Sequence, residues 1–339
     1  MMTRTLLLLA TSALAVGACK KTDKAPPKAE PVVTVTTDAS PAVDPAAENL
    51  KKIAAAFEKL DATVAKEKER WTPELEAKAV ALRDGNWKTT DEALTAILAS
   101  DHRFPGNAAR DQYRHPRETL GFFGLEPTMH VVELGAGAGW YTELLAPLLA
   151  KNGSLTAVGP DPDGPADQMT AVYGKRLVKL LEKSPGLFGA VKRVAITPPA
   201  QLTLGDPGSA DMVIAFRELH NWVEDNNHAA YLQAIHAVLK DGGTFAVVDH
   251  RAAADAKLED AVKLGYLPEP WVVQTVTAAG FELAAKSDIN ANPKDTKDYK
   301  DGVWTLPPAL TLGDVDREKY LAIGESDRMS LKFVKRAAK

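Results

Sequence analysis

The chain has almost no cysteine: Cys19 stands alone among 339 residues, so no internal disulfide can form. It also lacks a basic block interleaved with aromatics, and its formal net charge is −4. Together these argue against a nucleic-acid partner held by phosphate contacts. No internal repeat is present, and past the N-terminus no apolar run is long enough for a transmembrane helix. Residues 20–45 contain no aromatic residue and are rich in Lys, Pro, Ala and Thr. Such a stretch cannot supply a core and reads as a flexible tether. What is present is a globular composition, 45% hydrophobic and 25% charged, sufficient for one large domain or two small ones.

The N-terminus reads as a targeting segment. Arg4 gives it a positive end, and residues 6–16 are apolar but too short to span a membrane readily. It closes on Val16-Gly17-Ala18-Cys19, which resembles the bacterial lipoprotein processing box, with Val16 where leucine is usual. The expectation is a signal peptide over 1–18 and lipid attachment at Cys19, the alternative being an ordinary secretory signal with an incidental cysteine. A lipidated chain sits in the bacterial envelope, and Lys20 after the cysteine favours the periplasmic face of the outer membrane.

The most informative stretch is residues 131–142, VVELGAGAGWYT. Val131, Val132 and Leu134 read as a buried strand and 141–149 as a helix. Gly135, Gly137 and Gly139 between them let the backbone turn sharply and approach a ligand. A dinucleotide fingerprint needs a third glycine where this chain has Trp140. Glu133 would repel a pyrophosphate but suits an ammonium. S-adenosylmethionine, with an amino-acid head and no phosphate, fits this chemistry better than a nicotinamide dinucleotide. A plain tight connection between strand and helix is the bland alternative.

Strand and helix alternate from residue 130 onward, which predicts a mostly parallel sheet. Strands are expected at 130–134, 154–158, 192–196, 211–216, 244–249, 281–287 and 328–334, with helices at 141–149, 166–183, 227–239 and 271–279. Asp241-Gly242-Gly243 is expected to stop the third of these helices. Upstream, residues 48–100 read as helices: one over 48–68, a second opened by Thr72-Pro73, and a third capped by Asp91. The expected organisation is signal 1–18, tether 19–47, helical region 48–100 and an α/β domain over 101–339.

Glu133-x-Gly135-x-Gly137-x-Gly139 on the first of seven strands resembles motif I of the class I S-adenosylmethionine-dependent methyltransferases. Stretches at 109–124 (ARDQYRHPRETLGFFG), 219–222 (LHNW), 247–252 (VVDHRA), 290–308 and 324–335 are similar to an uncharacterised family of exported predicted methyltransferases. The resemblance covers about 101–335. It implies a Rossmann-like α/β fold, a seven-stranded sheet of order 3-2-1-4-5-7-6 with strand seven antiparallel, and S-adenosyl-L-methionine as cofactor. Members commonly end strand two with an acidic residue for the ribose. Here that position is Gly159, and Asp161, two residues on, is the candidate replacement, with simple turn chemistry as the alternative.

Ligands in open α/β sheets bind beyond the carboxyl ends of the parallel strands. Phe216 and Arg217 end strand four there, followed by His220, and Asp249-His250 ends strand five. His220 and His250 are the candidate catalytic or substrate-binding residues, since imidazole titrates near neutrality. A hydrogen-bonded scaffold with Asp249 and Asn221 is the alternative. A metal site on His220, Asp249 and His250 is weighed and not adopted, because no ligand pair has a helical zinc spacing. Tyr113 or Arg110, ahead of strand one, can meet the methionine carboxylate, and Tyr141 borders the head group. Residues 288–327, too long for a hairpin, are expected to cover the site. Two functional readings follow: methyl transfer to a small molecule or envelope component, and a non-catalytic binding or assembly lipoprotein on the same fold. Gly159 and export away from the cytoplasmic cofactor pool favour the second.

Overall fold

The structure is a computed structural model and describes residues 44–337; Cys19 and the signal segment lie outside them. Apolar runs bounded by turns become the strands β1 (His130–Leu134), β2 (Ser154–Pro160), β3 (Lys192–Ile196), β4 (Ala210–Phe216), β5 (Leu239–His250), β6 (Phe281–Ser287) and β7 (Arg328–Lys335). They form one sheet of order β3-β2-β1-β4-β5-β7-β6, with β7 antiparallel to both its neighbours and the other pairs parallel. The order is the one implied by the motif resemblance. Because β6 opposes β7, it runs in the direction of β5, and the following segment leaves from the carboxyl edge.

Both faces of the sheet are covered, which is why β1 and β4 are buried along almost their whole length rather than on alternate residues. Val131, Met212, Ile214 and Val248 face a layer with Leu94, Leu120, Phe123, Leu144 and Leu148. Val132, Val213, Phe245, Val247 and Phe333 face Trp222, Leu232, Ile235, Val272 and Val276. The period-two alternation of strand side chains thus sorts neighbouring residues into two cores.

The helices ahead of the sheet are α1 (Pro45–Arg70), α2 (Pro73–Arg83), α3 (Thr90–Leu98), α4 (Asp111–Arg114) and α5 (Pro116–Phe123). Those between strands are α6 (Thr142–Leu149), α7 (Met169–Glu182), α8 (Pro185–Phe188), α9 (Leu219–Glu224), α10 (His228–Val238), α11 (Leu258–Ala261) and α12 (Glu269–Ala278). The segment before β7 carries a 3₁₀ turn at Gly302–Thr305 and α13 (Arg317–Ile323). No helix among the described residues is long and apolar enough to cross a membrane.

Two expected boundaries move. Thr89, not Asp91, caps α3, its side chain accepting from the Glu92 N–H, while Asp91 sits in the first turn. Helix α10 ends at Val238, and β5 starts at Leu239, so Asp241-Gly242-Gly243 lies within the long strand; Gly242 takes φ +77° there. Pairing of Leu239 with Ala210 extends the strand past the glycines, an interaction between segments about thirty residues apart that local turn propensity does not foresee.

Candidate active site

The turn after β1 uses its three glycines in one way: Gly135, Gly137 and Gly139 have φ of +63°, +55° and +77°. Those values strain any side-chain-bearing residue and cost glycine nothing sterically. A β-carbon at Gly135 would overlap the Glu218 carboxyl group, and one at Gly139 would overlap Leu180 of α7. Glycine at 135 therefore makes room for Glu218, a residue that follows β4 and was not singled out in the sequence. Its carboxyl is pushed up to about 7, chiefly by burial, with His220 and Arg217 opposing.

Glu133 is 4% exposed and accepts a hydrogen bond from the Thr142 hydroxyl at 2.7 Å, tying the end of β1 to the start of α6. Burial pushes its carboxyl up to about 7 as well, against the Thr142 bonds. Trp140, in the slot a dinucleotide motif would give to glycine, is buried. Its Nε1 donates to the Asn107 carbonyl, and Arg103 and Arg114 lie over its ring at 5.1 and 4.7 Å.

At the end of β2 the structure gives a reason for Gly159. Helix α7 packs so closely that a β-carbon at 159 would stand 3.1 Å from Leu177, and one at Gly174 2.5 Å from the Pro160 carbonyl. Asp161 follows in a half-buried turn, where its carboxylate accepts the Asp163 N–H at 3.0 Å.

His220 and His250 do meet at the carboxyl edge, their ring centres 5.0 Å apart. His220 donates from Nδ1 to Asp249 Oδ1 at 2.9 Å. Asp249, fully buried, also accepts the His250 N–H at 2.7 Å, the Leu219 N–H at 2.8 Å and the His220 N–H at 3.4 Å. One carboxylate from β5 therefore caps α9 and orients the imidazole at its start. Burial works to raise Asp249, yet His220 and the hydrogen bonds hold it below the usual range. Burial likewise opposes the charged form of His220, but Asp249 and then Glu218 outweigh it and raise its pKa above 6.5. His250 is held well below that value by burial and by the charge of His220, and its Nδ1 is bonded to the Ser326 hydroxyl. Neither Nε2 has a hydrogen-bond partner among the described residues. The three side chains offer one ligand atom each within 4.8 Å of one another, but both Asp249 oxygens are already committed to N–H donors.

The segment between β6 and β7 folds over this pair. Trp304 lies 6.3 Å from His220, ring centre to ring centre, and Ser326 bonds His250. Tyr266, 6.4 Å from His250, donates its hydroxyl to Asp295 of the same segment at 3.0 Å.

Beside the histidines is a feature the sequence did not announce. Glu325, 3% exposed, accepts from Arg110 Nε at 2.9 Å, Arg114 Nε at 3.2 Å and Arg328 Nη1 at 3.0 Å. Although burial works to raise it, these arginines, with Arg217 adding to them, hold its carboxyl at about 2. Arg217 itself has φ +62°, a left-handed conformation rare outside glycine, fixed by its N–H bond to the Val248 carbonyl at 2.7 Å. Of the remaining expected site residues, Phe216 and Tyr141 pack edge-to-face at 4.6 Å. Tyr113 lies under Gly324, where a β-carbon would approach its ring to 2.6 Å, and its carbonyl accepts from Arg328 at 2.6 Å.

Residues 107–286, more than half of the chain, match the methyltransferase domain family, and the chain belongs to it. The motif I resemblance implies S-adenosylmethionine as its methyl donor. Among solved structures it is similar to an S-adenosylmethionine-dependent methyltransferase from Aquifex aeolicus, at 16% identity over 67% of this chain and 93% of that one, TM-score 0.44. It is similar to another from Methanosarcina mazei, at 13% identity over 63% and 95%, TM-score 0.42. A third is geranyl diphosphate methyltransferase in complex with S-adenosylmethionine, at 14% identity over 72% and 90%, TM-score 0.41. No curated protein matches it in sequence.

Proposed function

We propose that this chain methylates a small molecule or a cell-envelope component, as an exported protein anchored to lipid through Cys19, with His220 as general base. The observation that supports it is the His220–Asp249 pair at the carboxyl edge, one and two strands from β1 and its left-handed glycine turn.

The residues fit the cofactor. Gly137 leaves its backbone open to close approach, while Leu180 fills the space at Gly139 and Glu218 that at Gly135; Glu218, with its carboxyl pushed up to about 7, gains from an ammonium partner. Glu133 holds β1 to α6 beneath the turn, and Tyr141 and Phe216 wall it. Asp161 is the proposed ribose partner, reached by leaving its turn bond to Asp163. When bound, S-adenosylmethionine supplies a methyl carbon on a sulfonium: the acceptor's lone pair forms the new bond while the sulfur–carbon pair returns to sulfur. His220 receives the acceptor's proton at Nε2, because Nδ1 is held by Asp249, which also stabilises the resulting imidazolium. His250, neutral, presents Nε2 to the same space, and Trp304 and the segment around it exclude water.

The second reading, a binding or assembly lipoprotein on the same fold, draws support from the close α7–β2 packing that leaves no acid at 159. The two separate in one experiment. Protein incubated with methyl-labelled S-adenosylmethionine and a bacterial envelope or metabolite fraction transfers label on the first reading. His220→Ala then loses roughly 10²–10⁴-fold of the rate while keeping S-adenosylhomocysteine binding. Cofactor binding without label transfer to either fraction favours the second.

A further inference from the structure

The charge around Glu325 does not balance. Arg110, Arg114, Arg217 and Arg328 face that one carboxylate, and even with Glu218 counted beside Arg217 four guanidinium groups meet two carboxyls. Guanidinium does not deprotonate in proteins, so the excess is permanent. Burial and the neighbouring arginines press the pKa of Arg114 well below its ordinary value, a sign of how unfavourable the crowding is. Arg114, 1% exposed, reaches Glu325 only through Nε; its Nη1 and Nη2 are buried without a partner among the described residues, as is Nε of Arg328. A buried cation and orphaned N–H groups are strongly penalised unless an anion meets them.

We propose that these four arginines seat an oxyanion carried by the methyl acceptor, a carboxylate or a phosphate ester, and so select the class of acceptor methylated. The inference rests on the methyl-transfer reading above. Adjacent terminal nitrogens of one guanidinium match two oxygens of such a group in parallel, which an ammonium cannot do. The β7 end of the cluster is the part assigned to the acceptor, because Arg114 over Trp140 and Arg217 just past β4 stand nearer the glycine turn. Arg328 pairs in register with His250 on β7, the third strand from β1, so the cluster extends from Trp140, beside the glycine turn, to the histidine pair. Ser326, one residue from Glu325, holds His250, so an acceptor anchored at the arginines places its nucleophile at the histidine pair. Arg110 and Arg217 are half-buried while Arg114 and Arg328 are buried, so the first two are the cluster's contact with solvent.

The test is calorimetric titration of inorganic phosphate into the protein saturated with S-adenosylhomocysteine. The expected result is saturable binding at millimolar concentration or below, weakened about tenfold in Arg328→Gln and tightened in Glu325→Gln, which removes the competing internal carboxylate. S-adenosylhomocysteine affinity, measured in parallel, reports that each variant is folded. Should Arg328→Gln fail to fold, the opposite-direction effect of Glu325→Gln decides. No phosphate binding to the loaded protein overturns the proposal. Phosphate that binds only the unloaded protein and competes with S-adenosylhomocysteine also overturns it, reassigning the arginines to the cofactor. Phosphate binding without any S-adenosylhomocysteine binding would instead defeat the methyl-transfer reading and leave the anion seat standing.

Discussion

Two buried networks of charge, one around Glu143 of α6 and one around Glu325, are built differently. In the seam that joins the N-terminal helices to the sheet, Glu143 accepts from Lys183 at 2.9 Å, from Asn107 at 2.7 Å and from the Phe104 N–H at 2.9 Å. Lys183 also reaches Glu67 at 3.4 Å, and Arg70 closes on Glu67 through two bonds of 2.8 Å. Two carboxylates meet two cations there. Around Glu325 the cations outnumber the acids, and donor groups are left over. A balanced network is complete within the chain and acts as a joint; an unbalanced one is complete only with something the chain does not supply.

The sharpest way to break that contrast is at Lys183. Lys183→Met leaves the fully buried Glu143 without its cation and should cost about 3–5 kcal/mol in urea unfolding, with S-adenosylhomocysteine affinity of the folded fraction unchanged. A loss below roughly 1 kcal/mol, the level of an exposed pair, would mean that the seam is not the joint described.

The next effect is on the histidines. His220, raised by Asp249, should titrate above 6.5 by NMR, and Asp249→Asn should bring it down, while His250 stays neutral through the physiological range. For a raised imidazole the stabilising contribution is full below 6.5 and is lost as pH rises through the folded value. Alkaline destabilisation in that window should therefore shrink in Asp249→Asn, which also loses its carboxylate cap on α9.

A smaller effect is expected at Arg217. Arg217→Gly relieves a left-handed backbone, so thermal unfolding should show stability unchanged or raised by about 1 kcal/mol, while phosphate binding weakens. A clear loss of stability would place Arg217 with the structural charges rather than with the ligand seat. The last effect is at Glu218. Its carboxyl, raised to about 7, keeps a proton in the folded state that the unfolded chain releases near 4.5, so stability falls as pH rises from about 4.5 to 7. Glu218→Gln should flatten part of the decline in melting temperature across that window. An unchanged slope would show that Glu218 is ionised throughout.

The same contrast explains what could be read from the sequence. β1, β3 and β6 begin and end where the sequence places them, because each is bounded by its own turn residues. The glycine turn and the two histidines were legible because their spacing is local and strand order brings 220 and 250 to one edge. α9 was not foreseen: six residues are too few for periodicity, and the group that caps it, Asp249, lies thirty residues away. The arginine cluster was invisible for a similar reason. Arg110, Arg114, Arg217 and Arg328 come from segments that meet only after the sheet has formed, with Glu325 arriving from the far side of a long insertion. Gly159 reads as a missing acid in one dimension; in three it is also a packing position under Leu177.

The central claim is that a left-handed glycine turn beside β1 seats an S-adenosyl nucleoside. Isothermal titration of the purified protein with S-adenosylhomocysteine tests it most directly. Saturable, micromolar binding is expected, and Gly137→Val should abolish it, since valine cannot adopt φ +55° without strain. Absence of binding to both S-adenosylhomocysteine and S-adenosylmethionine in the unmutated protein would contradict it.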